Sequence, residues 1–246
     1  MTPASCLPVE DPSFCPRTET VENICRMLHE SGAVHVRGTP ATGKTTLAQL
    51  IAVWLTTRHF TVLYMDDWQV DANARTLLVK RCHEAGYKRV QEWNFLSPVN
   101  DNLVFIIDEA QATYENSHLW YAIIKSRIGQ SMGPRFCLFS SYGSPTTGSP
   151  QYPPRITPPI LSYRHRVSLT SSANENKYKV SLFYNRSEFE DAVTRFCQLS
   201  TVEYALDREL RDYLFSLTSG HPGMVRSTLE FITKVCVQKP TFPRIL

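Results

Sequence analysis

The chain has 246 residues, which is room for one α/β core and a small appendage but not for two large domains. Its 42% hydrophobic and 20% charged residues are those of an ordinary globular protein. A net charge of +3 falls well short of the basic balance of a dedicated nucleic-acid binder.

No apolar run approaches the length that crosses a membrane. The opening MTPASCLPVEDPS has no basic start followed by an apolar stretch, so it does not read as a secretory signal. Seven cysteines, scattered and without a CxxC pair, argue against a disulfide scaffold or a zinc cluster. They favour a reducing intracellular setting, cytoplasmic or nuclear.

Residues 1–17, with Pro3, Pro8, Pro12 and Pro16, read as an irregular lead-in. Val21, Ile24, Cys25 and Leu28 then fall at helical spacing before Gly32. Ala33 to Arg37 is expected to be a buried strand, Thr45 to Thr57 a helix, and Phe60 to Met65 a second strand followed by a helical stretch through Ala85. The uninterrupted run Leu103 to Ile107 suits a strand buried on both faces. A helix at His118 to Ile128 and a fourth strand at Phe136 to Phe139 follow.

Six prolines between Gly143 and Pro159 exclude a helix or central strand, so 143–160 reads as a long surface loop. Strand patterns resume at Arg166 to Leu169 and at Lys179 to Tyr184. Ser187 and Glu190 have the spacing of a capping box opening a helix through Leu199, and two more helices are expected over Glu203–Leu217 and Gly223–Val237. Strands alternating with helices and then helices alone imply a three-layer α/β sandwich. Its sheet would be mainly parallel with about five strands, forming a core over 18–185 with a helical lid at 186–246.

The strongest chemical signal is Gly38-Thr39-Pro40-Ala41-Thr42-Gly43-Lys44-Thr45, a full GxxxxGKT between a strand and a helix. Its glycines let the backbone N–H groups face a phosphate at the helix N-terminus, beside Thr46. Lys44 would bridge the β- and γ-phosphates of ATP, and Thr45 would offer a hydroxyl to Mg²⁺. The second signal is Asp108-Glu109, which ends the apolar strand Leu103 to Ile107. Asp108 would hold Mg²⁺ through its water shell, and Glu109 would orient or deprotonate the attacking water; the bland alternative is a helix cap. Such an Asp-Glu pair favours hydrolysis over phosphoryl transfer to a small molecule.

Ser140 or Ser141, ending the fourth strand, is placed to reach the γ-phosphate if that strand lies between the P-loop strand and the Asp108 strand. Gly220-His221-Pro222-Gly223 opens a helix carrying Arg226, where a helix start can face phosphates. Arg164 and Arg166 read either as residues acting on a neighbouring subunit's phosphates or as solvated surface charge. Asp66 and Asp67 suit helix capping better than substrate binding.

With these residues in hand, the chain resembles P-loop ATPases of the AAA+/STAND type over roughly Val21 to Val237. More narrowly, GTPATGKTTLAQL, IIDEAQATYENSHLW, LFSSYGSP, the RVSL strand and SGHPGMV resemble the NTPase domain of fungal and oomycete Crinkler-type proteins. The resemblance implies phosphate and Mg²⁺ roles for Gly43, Lys44 and Thr45, and Walker B roles for Asp108 and Glu109. It implies a sensor role near Ser141, and nucleotide contact through His221 and Pro222 in a helical lid. Residues 1–37 are too few for the ubiquitin-like header of that family, and nothing substantial follows the lid helices, so its effector and nuclease activities do not carry over.

The reading that follows is an ATP-dependent conformational switch with slow hydrolysis, acting as a homo-oligomer or on a protein partner. The alternatives are an ATP-binding scaffold without turnover, and a small-molecule or polynucleotide kinase using Asp66 or Asp67. A helicase-like motor fits poorly with a single core and a charge of +3.

Overall fold

The computed structural model describes residue 12 and residues 14–68, 73–141, 161–170, 177–200 and 204–237. The Pro-rich loop expected at 143–160, most of the lead-in and the last residues of the lid lie outside the described residues.

The elements run α1 (Thr18–Ser31), β1 (Ala33–Arg37), α2 (Lys44–Thr56), β2 (Thr61–Met65), α3 (Ala74–Glu84) and β3 (Leu103–Ile107). A π-helix at His118–Ile124 passes into the short α4 (Lys125–Arg127), followed by β4 (Arg135–Ser140) and β5 (Arg166–Val167). Three α-helices follow, α5 (Arg186–Gln198), α6 (Arg208–Thr218) and α7 (Pro222–Ile232), the last passing into a π-helix at Thr233–Val237.

The five strands form one sheet in the order β2-β3-β4-β1-β5, every pair parallel. Alternation along β3 shows why the sheet is covered on both sides. Val104 and Ile106 point into a core with Leu28 of α1 and Leu47 and Ile51 of α2. Leu103, Phe105 and Ile107 point into a second core with Leu78 of α3 and Trp120 of the π-helix. Each such buried side chain contributes roughly 1.5–3 kcal/mol, which is why a run with no polar position lies inside the sheet and not at its edge. This is the three-layer fold of P-loop NTPases. A third core, with Phe189, Val193, Leu214, Val225 and Leu229, belongs to α5–α7. No helix among the described residues is long and apolar enough to cross a membrane.

Several local expectations are corrected. No strand forms at Lys179 to Tyr184. Lys179 is left-handed (φ 49°), which breaks the extended run, and the carbonyls of Ser181, Leu182 and Phe183 accept the Arg17 guanidinium at 2.9, 3.0 and 3.4 Å. β5 is correspondingly short. The capping box of α5 uses Asn185 and Glu188, two residues before the expected pair, because Glu188 turns inward onto Arg17. α6 starts at Arg208, capped by Asp207, and not near Glu203. Asn73, not Asp66 or Asp67, caps α3, and Asp67 instead pairs with Arg81 at 2.6 Å.

Candidate functional site

Parallel strands direct their C-terminal ends to one edge, where loops are free to carry polar groups. At that edge β4 lies between β1 and β3, so the ends of the P-loop strand, the Asp108 strand and the serine strand converge. The P-loop, residues 38–45, leaves β1 and enters α2. Ala41 (φ 62°) and Gly43 (φ 78°) are both left-handed, curling the backbone around the helix start. No side chain caps α2 at Gly43, so its first N–H groups are left to an outside acceptor. A Cβ on Gly38 would come within 2.4 Å of Leu182 and 2.8 Å of the Thr42 hydroxyl, so any larger residue there must displace those two side chains.

Lys44 is buried and its Nζ donates to the Thr39 carbonyl at 2.8 Å, alongside the Thr42 hydroxyl, also at 2.8 Å. Burial lowers the Lys44 pKa, while the negative charges of Glu109 and Asp108 oppose that shift. Thr45 is exposed in the first turn of α2, and Thr46 lies one residue on, facing the cavity described below.

Asp108 is buried at the end of β3. One carboxylate oxygen accepts the Glu109 N–H at 3.0 Å and the other the Tyr64 hydroxyl at 3.0 Å. Burial raises the Tyr64 pKa and adjacent Asp108 raises it further, so the phenol stays a donor. Glu109 is itself left-handed (φ 49°), which swings its side chain over the following turn. There its carboxylate meets the Gln111 amide and accepts from the Ser141 hydroxyl at 3.2 Å.

The two serine candidates separate. Ser140 is fully buried and its hydroxyl pairs with His35 Nε2 at 2.8 Å. Burial holds the His35 pKa down at about 3, so the ring is neutral. Ser141 is the one that reaches Glu109.

The helical unit closes over the P-loop. The Gly223 N–H donates to the Ala41 carbonyl at 3.0 Å, and Pro222 lies where a Cβ on Gly43 would meet it at 3.5 Å. His221 caps α7, accepting the Met224 N–H at 3.2 Å, with its ring tilted against Phe183. Between core and helices lies a cavity of about 240 Å³. Its walls come from Phe14, Cys15 and Arg17, from Ala41, Gly43, Thr46 and Leu47, and from Tyr184, Ala192, Phe196, Pro222, Val225, Arg226 and Leu229. Arg226 stands over the Phe14 ring at 5.2 Å and pairs with Glu230. Arg164 and Arg166 lie at the β5 edge; Arg164 is exposed.

Tyr64 and the segment Phe14–Arg17 carry no signal in the sequence, and Gln111 figures there only as the end of the Asp108-Glu109-Ala110-Gln111 run, which superficially echoes a helicase box. Gln111 was the most accessible of these, standing two residues after Glu109. Nothing local marks Arg17, whose partner Glu188 is 171 residues away.

The sheet and the GxxxxGKT loop at its C-terminal edge define the class as a P-loop NTPase fold. The family described as Novel STAND NTPase 3 matches residues 16–110, which takes in the P-loop and the Asp108-Glu109 pair. Among solved structures the chain is similar to AMPPCP-bound DnaA from Aquifex aeolicus, at 15% identity over 88% of this chain and 60% of that one, TM-score 0.44. It is similar to domain III of the Thermotoga maritima replication initiation protein DnaA, at 10% identity over 92% and 89%, TM-score 0.46. The Walker-type ATPase of Pyrococcus abyssi is a third, at 13% identity over 88% and 67%, TM-score 0.48. The chain spans 60% and 59% of the first two DnaA chains compared. No curated protein sequence matches it.

Proposed function

We propose that the chain binds Mg·ATP between the P-loop and the C-terminal helices, hydrolyses it slowly, and uses the state of the nucleotide to set the position of those helices. The observation that carries this reading is the sharing of Ala41, Gly43 and Thr46 between two surfaces. One is the uncapped start of α2, suited to phosphates; the other is the apolar cavity, suited to a base and sugar.

In this reading the N–H groups of residues 42–45 cradle the β-phosphate and Lys44 leaves the Thr39 carbonyl for the β- and γ-phosphates. The donor set fits a magnesium ion: an exposed hydroxyl at Thr45 and a carboxylate at Asp108 with lone pairs beyond those given to Tyr64 and Glu109. When bound, the ion would neutralise charge developing on the phosphates. Glu109 takes the proton of the attacking water, and Ser141 stands beside it at the end of β4. Pro222 closes the cavity over Gly43, while His221 holds the first turn of α7 in shape.

The Novel STAND NTPase 3 match and the Crinkler-type motifs support a switch of this kind. A protein partner or a second copy of the chain would then read the position of α5–α7, inside the cell. The test is Glu109→Gln, which keeps shape but removes the base. Fluorescent-nucleotide titration should find Mg·ATP affinity retained, while phosphate release falls by about 100-fold or more. Equal turnover in both proteins would remove Glu109 from the chemistry; absence of nucleotide binding by the unaltered chain would remove the reading altogether.

A further inference from the structure

Glu109 is held by a short circuit of hydrogen bonds joining the ends of two strands. The Gln111 amide nitrogen donates to Glu109, and the Gln111 amide oxygen accepts the Ser141 backbone N–H at 3.0 Å. The Ser141 hydroxyl closes the ring onto Glu109 at 3.2 Å. The amide side chain suits this position because it carries a donor and an acceptor on one rigid plane, so it serves a carboxylate and a backbone N–H together. The left-handed turn at Glu109 brings residue 111 back under residue 109, and the short 3₁₀ turn Ala110–Thr113 fixes the distance between them.

We infer that Gln111 is a positioning residue for the hydrolysis proposed above, on which this inference rests. It fixes the Glu109 carboxylate in one orientation and ties that orientation to the end of β4. A carboxylate with two donors on one side keeps the lone pairs of its other side for the attacking water. A base displaced by about 1 Å costs up to 100-fold in rate. A displacement of Ser141 on nucleotide binding is transmitted to Glu109 through one side chain.

The experiment uses the full chain as Gln111→Ala and Gln111→Glu beside the unaltered protein. It measures steady-state ATP turnover across Mg·ATP concentrations, equilibrium nucleotide affinity and thermal midpoint. Gln111→Ala removes both hydrogen bonds. Gln111→Glu keeps an acceptor for the Ser141 N–H but presents Glu109 with a carboxylate and no donor. The expected result is a kcat lowered by about 10- to 100-fold in both variants, with nucleotide affinity within about threefold of the unaltered chain. Turnover in Gln111→Glu equal to the unaltered chain overturns the inference, since the residue would then serve only the Ser141 backbone. So does a loss carried wholly by KM. An unaltered chain that turns over no ATP overturns the reading beneath, and the inference with it. An active chain indifferent to both substitutions sinks the inference alone.

Discussion

The phosphate end of the site and its apolar end meet at Gly43, and they are built from different kinds of contact. The phosphate end comes from residues 38–45 and 108–109, two runs attached to strands of one sheet with only β4 between them, each with its conformation fixed by the strand before it. The apolar end draws walls from three segments far apart in the chain: residues 14–17, 184–196 and 222–229. The first end therefore persists wherever the sheet folds. The second exists only while α5–α7 lie on the core, which makes it the end able to report on nucleotide state.

The largest expected effect lies in what holds the apolar end together. Arg17 and Glu188 form a buried ion pair at 3.1 Å, with side chains 4% and 8% exposed, joining the start of α1 to the start of α5. Glu188→Ala leaves the guanidinium buried without its counter-charge and also breaks the capping box at Asn185. The expected cost is about 3–5 kcal/mol, read from urea unfolding. Arg17→Met combined with Glu188→Leu should cost clearly less, because no charge is then stranded. If the double replacement is as damaging as the single one, the hydrogen bonds from Arg17 to the carbonyls of residues 181–183, and not the charge of Glu188, hold this end together.

Next comes the phosphate end. Lys44→Ala removes the one buried cation of the P-loop, where a charged hydrogen bond contributes about 1.5–3 kcal/mol. Mg·ATP affinity should fall by about 100-fold in a fluorescent-nucleotide titration, with unfolding nearly unchanged because, among the described residues, the Lys44 ammonium hydrogen-bonds the Thr39 carbonyl alone. Unchanged affinity would disconnect the P-loop from nucleotide binding.

This division also explains how far the sequence could be read. The sheet's strands, the P-loop and the Asp108-Glu109 pair announce themselves through short apolar runs and glycine spacing, which are properties of neighbouring residues. The placement of β4 between β1 and β3 stands in the sequence only as a condition for a serine to reach the phosphates, and the sheet order meets it. The stretch 179–184 was misread as a strand because its apolar residues alternate correctly, yet its carbonyls serve a guanidinium from the other end of the chain. Two tetrads fit a capping box at α5, and only the burial of Glu188 against Arg17 selects the earlier one. Strand patterning alone leaves Ser140 and Ser141 equivalent and only the family resemblance favours Ser141, since their difference is which face of a strand end each occupies: His35 on one side, Glu109 on the other.

The smallest effect, and the most direct test of the switch, is at the seam between the two ends. The Gly223 N–H donates to the Ala41 carbonyl, so its hydrogen exchange reports whether α7 rests on the P-loop. A nucleotide can shift that contact only by interacting differently with the seated and released arrangements. The γ-phosphate is the group that distinguishes ATP from ADP, and the P-loop backbone it would contact is continuous with Ala41. Residues 219–225 should therefore show exchange rates that differ by about tenfold between an ATP analogue and ADP, equivalent to about 1.4 kcal/mol in the opening equilibrium. Gly223→Ala supplies the control. A Cβ there would lie 2.7 Å from the Ala41 carbonyl oxygen and 2.8 Å from the Ala41 Cβ, so it forces α7 and the Ala41 turn of the loop apart while adding no atom at Lys44, Asp108 or Glu109. That variant should lose protection at residues 219–225 in every state and erase the difference between nucleotides, while still binding them through Lys44. Protection that is identical with the analogue, with ADP and without nucleotide would make α7 a fixed cover, and ATP binding would then have no structural consequence at this seam.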